Sequence, residues 1–257
     1  MITHETSEGL LCIHQIDHAR LAGRLAEWWG GGAVPSFEPP GPVLTAIRNH
    51  DAGWAELDAE PVWDPRTGRP HTYRTHALPE TLDVAERSVS RVASIEPYAG
   101  WLVGRHFASF YEKHSEPAAK DWVAVQAARQ AELFALAAER WPAGSLAPRV
   151  LEANFDWLQL LDALSLAVAH DWEVWEGRPM ARDYQGSIGT FRYRRDPRSR
   201  SRRVMGRVTP YPFTPPRLAE RLPARVLPGL RWIGPDPLLQ AWREARSVTV
   251  EVVLMAG

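Results

Sequence analysis

From Gln15 to Trp29 apolar residues recur at helical spacing, with Ile16, Leu21, Leu25 and Trp28 on one side and small Ala19, Ala22, Gly23 and Ala26 between them. A recurrence near 3.6 residues predicts an amphipathic helix. Gly30-Gly31-Gly32 ends it, and Pro35 to Pro42 reads as a loop. A second helix is predicted from about Pro42 to Asp51, where Val43, Ile47 and His50 share a face, proline opens the first turn and Gly53 follows as a stop. Residues 54–80 are rich in Pro, Gly, Asp and Thr and predict a long loop over the surface or over the mouth of a site. Four further helices are predicted at about 80–95, 97–114, 117–140 and 148–172. In the last of these Leu151, Phe155, Leu158, Asp162, Ser165 and Ala169 lie on one stripe, widened by neighbouring leucines.

After Trp175 the pattern changes. Prolines become frequent, and Thr190-Phe191-Arg192-Tyr193-Arg194 alternates as a strand does. Ser247 to Leu254 predicts a terminal strand, residues 235–246 a short helix, and Gly9 to Ile13 a short strand or lead-in. The predicted organisation is a mainly α protein. A helical bundle covers residues 1–175, and a smaller β-rich extension at 176–257, with its strands in 183–257, packs on it.

Composition changes this picture little. The 257 residues are enough for a sizeable core, with 45% hydrophobic and 24% charged residues. The formal charge of -1 argues against a dedicated nucleic-acid binder. The single cysteine, Cys12, excludes an intramolecular disulfide and a thiolate metal site, and suits a reducing cytoplasm. Met1 to Glu5 lacks a basic start followed by an apolar run, so no signal peptide is predicted, and no stretch is apolar enough for a membrane span. Twelve tryptophans read as large core aromatics in preference to a carbohydrate or nucleotide platform.

Chemistry-bearing side chains fall on the helical pattern. His18 lies in the first helix, His50-Asp51 ends the second, His106 sits among Leu102, Val103, Phe107 and Phe110, and Asp162 sits among leucines. A carboxylate on an apolar face is costly unless it is paired or metal-bound, so Asp162 calls for a partner such as an arginine, a helix-capping role elsewhere in the core, or a metal ion. Imidazoles with carboxylates suit Fe, Mn, Co, Ni or Zn, as one or two ions, better than Mg or Ca alone. Asp51 and His106 are the candidate catalytic groups, and His18, His50, Asp51, His106 and Asp162 the candidate ligands. His14 stands four residues before His18, at the helix start, where a capping or surface role is preferred to ligation. His114 lies about 12 Å along the helix axis from His106 and is a poor co-ligand. In the long loop, Trp54, Asp58, Arg69 and His71 are the candidate substrate contacts, with Asp64 beside them. Arg192, Arg194, Arg195, Arg198, Arg200, Arg202, Arg203 and Arg207 crowd one apparent hairpin. They read first as solvated surface and second as a phosphate site.

The order of a helical His, a helix-terminal His-Asp pair and a late helical Asp resembles the HD superfamily of metal-dependent phosphohydrolases and phosphodiesterases, at His18, His50-Asp51 and Asp162. That resemblance implies an HD-like helical bundle and a metal-dependent hydrolase, of a phosphate ester by preference. Two-metal members add two histidines between the pair and the last Asp; His106 fits one of these places, which favours one ion or an irregular second site. Over most of its length the chain also resembles the domain-of-unknown-function 3891 family. The similar stretches are Gln15-Ile16-Asp17-His18-Ala19, His50-Asp51-Ala52-Gly53-Trp54 with Asp58 and Pro61, Thr67-Gly68-Arg69-Pro70, Pro97-Tyr98-Ala99-Gly100-Trp101 with His106, Leu161 to Leu166, and Pro210-Tyr211-Pro212-Phe213. That family carries no established activity. Three functions stay open: hydrolysis of a small molecule, oxygenation by non-haem iron on the same scaffold, and non-catalytic ligand binding with a structural metal. The expected partner is a small-molecule substrate, without nucleic acid or membrane, and the oligomeric state is open.

Overall fold

The computed structural model describes residues 1–31, 36–182 and 188–257. Gly32 and Pro35, which bound the predicted helix stop and loop, and the start of the predicted β-rich stretch at 183–187, lie outside the described residues. The chain opens with β1 (Ile2–Thr6) and β2 (Gly9–Ile13), then α1 (Gln15–Glu27) and α2 (Pro40–Asn49). A 3₁₀ turn (Ala52–Trp54) and a small ribbon of β3 (Trp63–Asp64) and β4 (Arg69–Pro70) occupy the predicted long loop. Next come α3 (Leu78–Ile95), α4 (Pro97–Tyr111), α5 (Pro117–Ala138) and α6 (Pro148–Ala169). The chain closes with β5 (Val174–Arg182), β6 (Ile188–Arg195), β7 (Arg203–Thr209), β8 (Arg217–Leu227), α7 (Pro235–Glu244) and β9 (Arg246–Ala256).

The expected mainly α, HD-like helical bundle is not the fold. The chain is about 49% helix and 23% strand, and a seven-stranded mixed sheet curls into a half-barrel within a mixed α/β fold. The strand order is β1-β2-β8-β9-β7-β6-β5, antiparallel except where β7 runs parallel to β9. Both chain ends build this sheet, because Leu10, Leu11 and Cys12 of β2 pair with Leu227, Val226 and Arg225 of β8. One core joins it to the helices, running from Leu21 and Val43 through Leu102 and Leu161 to Tyr193, Leu222 and Leu254. Two strands hide the sheet in the sequence. β2 is buried at almost every position and so shows no period of two, and β8, though its burial alternates and its pairing with β9 is unbroken, carries Pro223, a residue that argues against a strand inside a sheet.

The helices begin where proline falls in the first turn, at Pro40, Pro79, Pro97, Pro117, Pro148 and Pro235, since a missing N–H costs nothing there. Among the described residues no helix is long and apolar enough to cross a membrane. Helices α1, α2, α4 and α6 pack on one another, and α1 and α6 also meet the sheet. This places one face of each of these helices in a common interior.

The end of α6 is shorter than the sequence pattern predicts because Asp171 turns left-handed, at φ 54°. Its N–H donates to the Val168 carbonyl and the Trp172 N–H to the Ala167 carbonyl, the paired bonds of a Schellman cap. Glycine normally fills this position. Here the Arg195 guanidinium donates to the Asp171 carboxylate at 2.5 Å and holds the turn. Both Asp171→Ala and Asp171→Gly lose that ion pair, but only alanine keeps the cost of a left-handed Cβ. Asp171→Gly is therefore expected to be the more stable of the two by about 1 kcal/mol in urea unfolding. Equal stabilities would show that the left-handed conformation is not what the position demands.

Candidate metal centre

His18 leaves the buried face of α1 and is fully enclosed. Its Nδ1 meets the Ser165 hydroxyl at 2.9 Å, and its Nε2 meets Asp51 Oδ2 at 2.7 Å. Ser165 and Asp162 are one turn apart on α6, and the serine hydroxyl donates to the Asp162 carbonyl at 2.8 Å. With its proton committed there, the serine oxygen accepts from His18 Nδ1–H. This network assigns the Nε2 lone pair to the side facing Asp51. A lone pair 2.7 Å from a carboxylate oxygen is repulsive unless a proton or a cation lies between them.

His50 caps α2, and its Nδ1–H donates to the Ile47 carbonyl at 2.8 Å. That bond points Nε2 inward, 3.3 Å from Asp162 Oδ1 and 3.8 Å from Asp51 Oδ2, aligned with neither for a hydrogen bond. His106 comes from α4, with Nε2 3.7 Å from Asp162 Oδ2 and Nδ1 buried without a partner. The His50 ring stands edge-on to both neighbours, 5.2 Å from His18 and 5.4 Å from His106. The turn that carries Asp51 is seated closely against α3. The Gly53 N–H donates to the Ser88 hydroxyl at 2.8 Å, and a Cβ on Gly53 would lie 2.0 Å from the Val84 carbonyl oxygen. Only glycine lets the chain lie there, which explains a glycine two residues after Asp51.

These side chains fit a transition-metal ion. Ligand atoms of His18, His50 and Asp162 all lie within 4.8 Å of one another. Metal bonds of about 2.0–2.2 Å would set neighbouring ligand atoms about 3.0–3.5 Å apart. The observed 2.7, 3.3 and 3.8 Å separations bracket that range. Each of the two best-placed imidazoles has Nδ1 tied to a hydrogen-bonding partner and Nε2 directed inward, the usual outer support of a metal-bound histidine. Among the described residues no Lys or Arg pairs with Asp51 or Asp162, so the arginine alternative for Asp162 is absent.

The electrostatics agree. Burial alone would lower the His50 pKa, but the Asp51 and Asp162 carboxylates outweigh it and raise it to about 9. Burial would raise the Asp162 pKa, yet His50, followed by His106 and His18, holds it well below the usual carboxylate range. Burial pushes His106 down to about 4 against the pull of Asp162. With only its own residues, the site offsets one of its two negative charges by protonating His50. A divalent cation would displace that proton.

The centre opens on a cavity of about 510 Å³, a size suited to a small molecule. His18, Asp51, His106 and Asp162 form its floor. Trp54, Leu78, Phe107, Phe110 and Tyr111 form an apolar wall, and Tyr73, Arg74, His76 and His114 lie around it. Of the loop residues expected at the substrate, Trp54 lines the cavity. The others are not among its lining residues and have partners of their own. Asp58 accepts from the Met1 nitrogen at 2.5 Å and from the Gln15 N–H at 2.6 Å. Arg69 pairs with Glu5, His71 meets the Thr75 hydroxyl at 3.0 Å, and Asp64 ties the β3–β4 turn. His14 packs on Trp242, its ring 5.7 Å away, and lines a different cavity. In the arginine-rich hairpin, Arg192, Arg195, Arg198, Arg202, Arg203 and Arg207 pair with carboxylates, and none lines the cavity. The sequence reading missed Ser165 as a supporting residue, although it stands three residues from Asp162 on the same stripe. It also missed Tyr73 and Arg74, which carry no periodic signal.

Beside the cavity, His170 stacks on Trp172 at 5.1 Å, and its Nε2 lies 3.3 Å from the Tyr73 hydroxyl. Burial, then the charges of Arg74, His4 and His18, lower its pKa from 6.5 to about 4. A depressed histidine leaves the unfolded chain binding more protons between these values, so stability falls as pH drops from about 6.5 through about 4. His170→Gln is expected to remove one proton from the pH dependence of the urea midpoint across that window. Parent and variant curves that stay parallel would contradict this.

Neither curated protein sequences nor solved structures give a match. The model of the family described as "Protein of unknown function (DUF3891)" matches residues 1–229, most of the chain, and the protein belongs to that family.

Proposed function

We propose that this protein is a metal-dependent hydrolase of a small molecule, with a phosphate ester as the favoured substrate. The observation that carries this reading is the clustering of His18, His50 and Asp162, with Asp51 against His18, beside an aromatic-lined cavity. His18, His50 and Asp162 would hold the ion, with Asp51 beside them and His106 at the edge. Fe, Mn, Co, Ni and Zn all suit this donor set. A bound ion of this kind supplies Lewis acidity, polarising a phosphoryl oxygen and lowering the pKa of water toward about 7. Asp51, at the cavity floor, orients the attacking water and holds His18 in register. His106 lines the cavity and stays neutral at ordinary pH, so it contacts the leaving group as a hydrogen-bond partner, and the proton that the leaving group takes comes from the attacking water. The wall of Trp54, Phe107 and Tyr111 excludes bulk water and strengthens each of these interactions.

Non-haem iron oxygenation is the second reading, because the same donors suit iron. Among the described residues one cluster of three or more ligand-type side chains is present, which favours a single ion and hydrolysis over a two-iron oxygenase.

Hydrolysis of p-nitrophenyl phosphate is expected only with added Mn, Co, Ni, Zn or Fe(II), and is expected to fall at least about 100-fold in Asp51→Ala. No turnover with any of these ions, or turnover indifferent to Asp51→Ala, would contradict the proposal. Ser165→Ala removes the partner of His18 Nδ1 and is expected to weaken metal affinity about 10- to 100-fold with the fold intact. Unchanged affinity would show that His18 needs no such support.

A further inference from the structure

Arg74 is set apart from the other cations near the metal centre. It lines the cavity, and its Nε donates to the Tyr73 hydroxyl at 2.8 Å. Its guanidinium carbon stands 5.2 Å from the centre of the Tyr73 ring and 5.7 Å from that of Trp172. The Tyr73 hydroxyl is itself anchored by His170, whose lowered pKa leaves it a neutral acceptor. Arg74 is therefore oriented from one side by stacking and by one hydrogen bond. Among the described residues it forms no ion pair, while six of the eight hairpin arginines find carboxylates. The terminal nitrogens of its guanidinium fork are left for something else.

The charges in the cavity say what that is. Asp51 and Asp162 are the carboxylates among its lining residues. Tyr73 lies close enough to both to feel their charge, which places the Tyr73–Arg74 pair in the electrostatic range of the metal centre. Two carboxylates and one divalent cation sum to zero. Arg74, itself solvent-exposed, then leaves the cavity mouth with a net positive charge, and a guanidinium oriented in this way recognises planar or tetrahedral oxyanions through paired N–H groups. Phe110, which lines the same cavity, is 49% exposed although it is a large apolar ring, and its centre lies 4.6 Å from that of His106. An exposed phenyl ring and a charged fork on one cavity fit a ligand that carries both an apolar and an anionic group.

We propose that Arg74 is the anion-binding and specificity-determining residue of this cavity, and that the substrate is a small aromatic or otherwise apolar molecule bearing an oxyanion. This rests on the reading of the centre as a metal site that faces the same cavity. Phosphate and carboxylate share the chemistry that Arg74 would recognise, and the choice between them is left to the probes.

Calorimetric titration of the full metal-loaded protein tests it, with phenylphosphonate, phenylacetate, inorganic phosphate and benzyl alcohol as probes. Phenylphosphonate or phenylacetate is expected to bind more tightly than benzyl alcohol, with an affinity that falls as salt rises. The tighter of the two identifies the anion. Arg74→Ala is expected to weaken that binding at least 10-fold and remove its salt dependence, leave benzyl alcohol unchanged, and take up metal as the parent does. Arg74→Lys keeps the charge without the fork and is expected to fall between the two. An Arg74→Ala protein that holds metal and binds the anions as tightly as the parent overturns the subsite and leaves the metal centre standing. A parent that takes up no metal yet loses anion binding with Arg74→Ala removes the metal reading and leaves the subsite standing. Benzyl alcohol binding as tightly as either anion overturns the proposal.

Discussion

Two carboxylates, Asp51 buried and Asp162 partly buried, whose ionic neighbours among the described residues are imidazoles, are the constraint on which the rest of this structure depends. Asp51 comes from the turn after α2 and Asp162 from α6, and they share His18 and His50 as neighbours. Burying charge is expensive unless an opposite charge is close, and no arginine or lysine among the described residues supplies it. The chain's own partial remedy is a proton on His50, whose pKa the two carboxylates raise to about 9 and whose charge in turn helps hold Asp162 low. That proton offsets one of the two negative charges, and His50 Nε2 is aligned with neither carboxylate. A metal ion would satisfy the same demand with better geometry, because each inward nitrogen is already fixed from behind.

The fold serves that demand by bringing distant segments to one place. Helices α1, α2, α4 and α6 each contribute one polar residue, or one polar pair, to an otherwise apolar interior. The Gly53 turn seats Asp51 against α3, and Ser165 ties His18 to the backbone of α6. The left-handed cap at Asp171 then sends the chain away from α6 into β5, leaving His170 and Trp172 beside Tyr73 and Arg74 at the cavity. The sheet closes the molecule behind the helices and draws strands from both chain ends, so the interior around the centre belongs to the whole chain.

The helices were largely legible because their faces are apolar at a clear period and their starts carry proline. The candidate ligands were legible for the same reason: a His or Asp on such a face is conspicuous. The terminal strand alternated cleanly and was read within two residues of its end. The half-barrel was not legible, because β2 is buried almost throughout and shows no alternation, while β8, whose burial does alternate, carries Glu220 on its inward parity and Pro223, a residue that argues against a strand inside a sheet. The loop residues show a different limit. Asp58 and Arg69 look like substrate contacts in sequence, yet their partners are Met1, Gln15 and Glu5, and no local pattern reports pairings across such separations. Arg74 and Tyr73 were missed because their position depends on Trp172 and His170, about a hundred residues away.

The most direct test of the account is the metal content of the purified protein by elemental mass spectrometry, beside His50→Ala and Asp162→Ala, before and after soaking in Mn, Co, Ni, Zn or Fe(II). The account predicts a near-stoichiometric ion in the parent and its loss in both variants. A parent that carries no ion and takes none up would contradict it, and His18, His50, Asp51 and Asp162 would then stand as a buried polar network neutralised by protons alone.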